Sequence, residues 1–214
     1  MKVELDINKW KRNNHYHFFK NYDNPFYNIC SNLEITELYN VCKSNNFSFF
    51  LGYLYLSIKA ANEIEEFRYR IEDEKVYIYD QIHPYSTILC EDNTFKFCDF
   101  KYSDSFNNFC ENAKLSIKKT LDNGELIAGD NRNDVIHYTS IPWISLTSMT
   151  HAKNFNSDDS VPKIVFGKTF DENSRLMMPI CVEVHHSLVD GIHVGKYFNL
   201  FRELVLDSEN LLSS

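Results

Sequence analysis

Near its C-terminal end the chain reads Val184-His185-His186-Ser187-Leu188-Val189-Asp190-Gly191-Ile192-His193. An imidazole beside a cleft can take a proton from a hydroxyl or thiol, and a carboxylate four residues on can support it. The residues before the pair alternate with period two. Ile180, Val182, Val184 and His186 share one face, and Cys181, Glu183 and His185 share the other. With the apolar face buried, His186 ends a buried row and is the better base of the two. Asp190 falls in a turn, and Gly191 is free to take positive φ there. Taken alone, a His-His pair at a strand end is more often structural, and an Asp-Gly turn is common.

The elements that must position this segment read as α/β. Residues 8–22 have a helical pattern, 26–35 read as a strand, and Glu37–Lys43 as a short helix. Phe47–Phe67 is apolar on nearly every face, the mark of a helix buried on most sides. Lys75–Tyr79, Tyr85–Glu91 and Thr94–Phe100 are strand-like. Phe106, Phe109, Cys110, Ala113 and Ile117 mark a helix over 104–121. Strands are predicted for Val135–Ser148, Lys163–Phe170 and Leu176–His186, and a final helix runs from Gly191. A mixed sheet flanked by helices accounts for this order. With no repeat, linker or low-complexity tract, one domain over 1–214 is the simplest organisation.

Composition narrows the function. The 214 residues include 43% hydrophobic residues, 13 Tyr and 17 Phe, enough for a large core and an aromatic pocket. A net charge of −8 argues against a nucleic-acid footprint, which needs a basic face. No run of about 18 apolar residues predicts a membrane span, and the first residues have no apolar signal core. Cys30, Cys42, Cys90, Cys98, Cys110 and Cys181 form no CxxC pair. They read as six free thiols in a cytoplasmic protein.

The histidine motif, His185-His186-Ser187-Leu188-Val189-Asp190-Gly191, resembles that of the chloramphenicol acetyltransferase family. So do Thr139-Ser140-Ile141-Pro142-Trp143-Ile144-Ser145, the N-terminal Trp10-Lys11-Arg12 with Phe18-Phe19, and Glu66-Phe67-Arg68. The likeness covers most of the chain. Its wider fold, a two-layer sandwich, is shared with dihydrolipoamide acyltransferase cores. The Pro-Trp strand and the N-terminal pattern favour the antibiotic-acetylating branch.

The resemblance implies a homotrimer with active sites between subunits, and acetyl transfer from acetyl-coenzyme A, as co-substrate, to a hydroxyl of chloramphenicol, without a metal. It makes His186 the general base and pairs Asp190 with Arg12 as structural support. The family's oxyanion-binding serine falls on Thr139, which keeps the hydroxyl. It assigns Phe18, Phe19, Tyr27, Phe95, Phe97 and Met149 to the acceptor pocket, and Trp143 and Lys168 to the coenzyme. Departures are Asp23, His151, Lys153 and Lys163 at apolar pocket positions, Val165 at a water-placing threonine, and Ser48 at a coenzyme lysine. Phe97 replaces a smaller residue and narrows the pocket. Either the four polar residues lie in solvent through a local shift, or the acceptor is more polar than chloramphenicol, because buried unpaired charge is expensive. A relative that binds without turnover is a third reading. His193 reads as scaffold.

Overall fold

A computed structural model describes residues 1–123, 132–153 and 159–213. A six-strand path forms the main sheet: β2 (Phe26–Glu34), β10 (Arg175–His185), β8 (Lys163–Gly167), β7 (Val135–Ile141), β5 (His83–Leu89) and β6 (Phe95–Asp99), in that order. The short β9 (Phe170–Glu172) pairs with β10. β5, β7 and β8 run parallel and the remaining pairs are antiparallel. A second sheet of β1 (Lys2–Glu4), β4 (Lys75–Tyr79) and β3 (Tyr69–Glu72) has no counterpart in the sequence reading beyond Lys75–Tyr79.

Helices pack on one face of the main sheet. α3 (Phe49–Asn62) is the apolar segment anticipated, shorter at both ends, with Leu51 to Ile58 buried throughout. Ser48 caps it, its hydroxyl accepting the Leu51 N–H. α5 (Gly191–Leu206) crosses beside it. The Ser57 hydroxyl in α3 bonds both Tyr138 on β7, at 3.0 Å, and Tyr197 on α5, at 2.6 Å. That buried triad fixes which side of the sheet faces the helices. Ile136, Tyr138, Ile164, Phe166, Ile180, Val182 and Val184 therefore point to the core, with Phe201 of α5 against Phe166. α2 (Thr36–Ser44) and α3 approach closely at Gly52, where a Cβ would lie 2.9 Å from Cys42 Sγ. α4 (Phe106–Asp122) and α6 (Ser208–Leu212) complete the layer.

Several boundaries differ from the sequence reading. The first helix is only α1 (Asn13–Phe19), after a 3-10 turn at Ile7–Lys9. β7 stops at Ile141 rather than Ser148, because Pro142 has no N–H to offer the ladder. No described glycine has positive φ, so Gly191 simply opens α5. The thiol reading is also corrected. Cys30 and Cys181 are directly opposed across β2 and β10 and are joined as a disulfide. Absence of a CxxC spacing carried no information about partners 151 residues apart. Denatured, unreduced protein should show four reactive thiols, rising to six after reduction. Six before reduction would remove the bond.

Candidate active site

β10 is buried on both faces, since Cys181, Glu183 and His185 are as enclosed as their apolar neighbours. The strand ends at His185, and His186 steps off it, its N–H donating to Pro25 C=O at 2.8 Å. His186 is thus not the last of the buried row. Its side chain keeps 34% of its surface, stacked on Phe19 with ring centroids 3.9 Å apart and flanked by Tyr27 at 4.5 Å. Its Nδ1 lies 3.3 Å from Asp190 Oδ1, close but out of line for a hydrogen bond.

Arg12 clasps this turn. Its guanidinium donates to both carboxylate oxygens of Asp190, and to His186 C=O at 3.1 Å. Burial lowers the Arg12 pKa, while Glu66, Tyr27 and Tyr69 oppose the shift. The Tyr27 hydroxyl donates to Val189 C=O at 3.3 Å, and burial pushes its pKa up to about 12. Phe18 packs edge-on against Phe19 but is largely exposed. Arg12, Phe18, Phe19, Tyr27, His186 and Asp190 therefore form one group at one end of β10.

A second group lies elsewhere on the sheet. Thr139 pairs with Val165, and Val165 with Cys181, on the face away from the helices. That row is five residues back from His186, about 16 Å at strand rise. Phe97 on β6 pairs with Thr87, one residue past the Ser86–Tyr138 pair that ends the β5–β7 register, and Phe95 packs against Phe97. The exposed Trp143 lies just past β7. The Lys168 N–H donates to Ile144 C=O at 2.8 Å, so Trp143 and the exposed Lys168 lie near one another. The Met149 carbonyl accepts from the amide of Asn28, the neighbour of Tyr27 on β2, at 2.6 Å. One chain does not bring Thr139 to His186.

The polar departures divide: Asp23 meets the solvent alternative, whereas the two lysines meet neither. Asp23 is exposed. Lys153 is half-buried with its side chain largely enclosed, Nζ lying 3.1 Å from Glu183 Oε1. Lys163 is buried, with Nζ 2.6 Å from Asp159 Oδ2. Both ammonium groups lie over the Phe26 ring, at 3.9 and 4.6 Å. His151 stands 3.8 Å from Glu183, and both its ring nitrogens are buried without a hydrogen-bond partner among the described residues. Two lysines invisible to one another in sequence thus meet their own carboxylates. Glu183 and Asp159 were missed because each is an ordinary acid until the fold places it. Val165 is buried beside Thr139.

This sheet and motif define an acyltransferase. The profile of the chloramphenicol acetyltransferase family matches residues 2–202. Chloramphenicol acetyltransferase 3 of Escherichia coli is 26% identical over 205 residues, covering 94% of this chain and 96% of that one. The Clostridium perfringens chloramphenicol acetyltransferase is 27% identical over 212 residues, covering 97% and 96%. A solved chloramphenicol acetyltransferase superposes with a TM-score of 0.90 at 32% identity, over 96% of this chain and all of that one. A dihydrolipoamide acetyltransferase of Azotobacter vinelandii shares the fold, with a TM-score of 0.67 at 13% identity. The chain belongs to the chloramphenicol acetyltransferase family.

Two predictions follow from the geometry. Burial lowers both His137 and His185 from the ordinary 6.5 to about 4. Their neutral forms belong to the fold, so stability is full above pH 6.5 and falls as pH drops toward 4. The slope is at most about 1.4 kcal/mol per pH unit for each ring. Urea midpoints from pH 7.5 to 4.5 should show this decline, and His137→Phe should remove about half of it. A wild-type profile flat from 6.5 to 4.5 would mean the rings are solvated. Separately, Arg12→Met should cost about 2–4 kcal/mol by leaving Asp190 uncompensated, somewhat below a fully buried pair. A urea midpoint within error of wild type would show the clasp to be energetically idle.

Proposed function

We propose that the protein, as one acetyltransferase unit over 1–214, transfers an acetyl group from acetyl-coenzyme A to a hydroxyl of chloramphenicol. The observation that carries this reading is the His186 turn. Arg12 holds the Asp190 carboxylate beside His186 Nδ1. A carboxylate there favours the Nδ1–H tautomer and leaves Nε2 free to accept a proton. His186 Nε2 deprotonates the acceptor hydroxyl as its oxygen attacks the thioester carbonyl, and the proton passes on to the departing thiolate. The Thr139 hydroxyl donates to the developing oxyanion.

The wide separation of His186 and Thr139 in one chain supports a homotrimer, in which Thr139 of one copy faces His186 of the next. Phe18, Phe19, Tyr27, Phe95 and Met149 would then meet the acceptor's rings and chain. The coenzyme fits the second group. Trp143 offers an exposed apolar face to a pantetheine arm, and the neighbouring Lys168 offers a cation to phosphate. Ser48 caps a helix and brings no charge to that task. No nucleic acid or membrane is part of this reading, and no helix among the described residues is long and apolar enough to cross a membrane. Use of acetyl-coenzyme A favours the cytoplasm. The Cys30–Cys181 bond weighs against it, since that compartment keeps thiols reduced.

A second reading keeps the chemistry and changes the acceptor. The buried nitrogens of His151 favour a molecule with more polar groups than chloramphenicol. The two lysines do not ask for an anion, because Glu183 and Asp159 already neutralise them.

Thiol release from acetyl-coenzyme A decides the matter. It should require chloramphenicol and fall on the order of 10²–10⁴-fold or more in His186→Ala. Release with a polar alcohol but not chloramphenicol would select the second reading. No release with any hydroxylated acceptor would leave only a binding role.

A further inference from the structure

Asp190 is gripped at a second point by residues outside the motif's reacting pair. His193, in the first turn of α5, is buried, and its Nδ1 accepts the Asp190 backbone N–H at 2.9 Å. That nitrogen therefore carries no proton, and the neutral ring carries its proton on Nε2. Nε2 stands 3.3 Å from Glu66 Oε1. Glu66 lies in the 3-10 turn Glu65–Arg68, just after α3, and its charge also favours the Arg12 guanidinium. The loop's carbonyls at 186 and 189 are held by Arg12 and Tyr27. The N–H of Asp190 is held by His193.

We propose that His193 and Glu66 are positioning residues: through the Asp190 backbone they keep its carboxylate beside His186 Nδ1, so that His186 presents an unprotonated Nε2 to the acceptor. The proposal rests on the reading of His186 as base. Glu66 orients the His193 ring, the ring fixes Asp190 at the end of the turn where it caps α5, and the carboxylate follows its backbone. Misplacement of a supporting group by about 1 Å can cost on the order of 10²-fold in rate. The dependence runs through main-chain geometry, so an oxygen acceptor in the place of Nδ1 should serve as well.

The test uses the whole protein with acetyl-coenzyme A and chloramphenicol. His193→Leu removes the acceptor, His193→Asn keeps one in the place of Nδ1, and Glu66→Gln keeps size but removes charge. His193→Leu should lower kcat about 10–100-fold with both KM values within about threefold. His193→Asn should recover to within about fivefold, and Glu66→Gln should lose about 3–10-fold. In an Asp190→Asn background the His193→Leu loss should shrink to about twofold or less, because the two act as a unit. A purely structural role predicts equal losses in both backgrounds and no rescue by asparagine, and either result overturns the proposal. Carbethoxylation of His186 by diethyl pyrocarbonate, followed by peptide mass spectrometry, supplies a readout without turnover. It should slow at least about threefold in His193→Leu and return in His193→Asn. An unchanged rate overturns the proposal even if wild type acetylates no acceptor, an outcome that would itself count only against the functional reading.

Discussion

The contact between Arg12 and Asp190 holds the rest in place, because it ties together segments 178 residues apart in the chain. Nothing else among the described contacts joins α1 to the turn after β10 through paired charges. Arg12 reaches two carboxylate oxygens and a main-chain carbonyl, which a planar guanidinium can do and an ammonium cannot. Phe19 lies two turns further along the same N-terminal segment, so the clasp also sets the ring on which His186 stacks. Loss of the clasp would free the carboxylate and the aromatic wall together. One interaction therefore fixes both the electrostatics and the packing of the imidazole.

The sheet imposes the second constraint. Helices cover one face and use up its apolar residues. The other face carries Thr139, Lys163, Glu183, His185 and the Cys30–Cys181 bond, a mixture that suits neither bulk water nor a dry core. The largely enclosed pairs Lys153–Glu183 and Lys163–Asp159 solve part of that problem within one chain. Such pairs cost desolvation and repay it only with good geometry, so they are weak devices for stability and better ones for specifying what docks against them.

Much of this was legible in the sequence, and the failures share a cause. The histidine motif, the apolar stripe of α3 and the alternation of β10 are local patterns, and each became the element it suggested. Second partners were not legible. Cys30 gives no sign of Cys181, Lys153 none of Glu183, and Lys163 reads as a stray cation until Asp159 folds over it. Burial on both faces of β10 was also hidden, because Cys181, Glu183 and His185 look like a solvent face by composition. The short strands β1 and β3 are too brief for period-two alternation to register. His193 gives no sign of Glu66 either, 127 residues earlier by sequence number.

The adjacent histidines show how one residue of strand parity separates two chemistries. His185 points to the charged face, edge-on to Phe26, and its Nδ1 accepts the Ser187 N–H at 3.3 Å. Burial holds its pKa near 4. A ring of such low basicity is neutral at pH 7 yet gains little by taking a proton, so it is a poor general base. His186 leaves the strand, keeps a third of its surface and has a carboxylate at Nδ1. A carboxylate therefore stands beside the second ring, while desolvation penalises protonation of the first. His185 ends β10 among buried groups, and His186 turns outward directly after it.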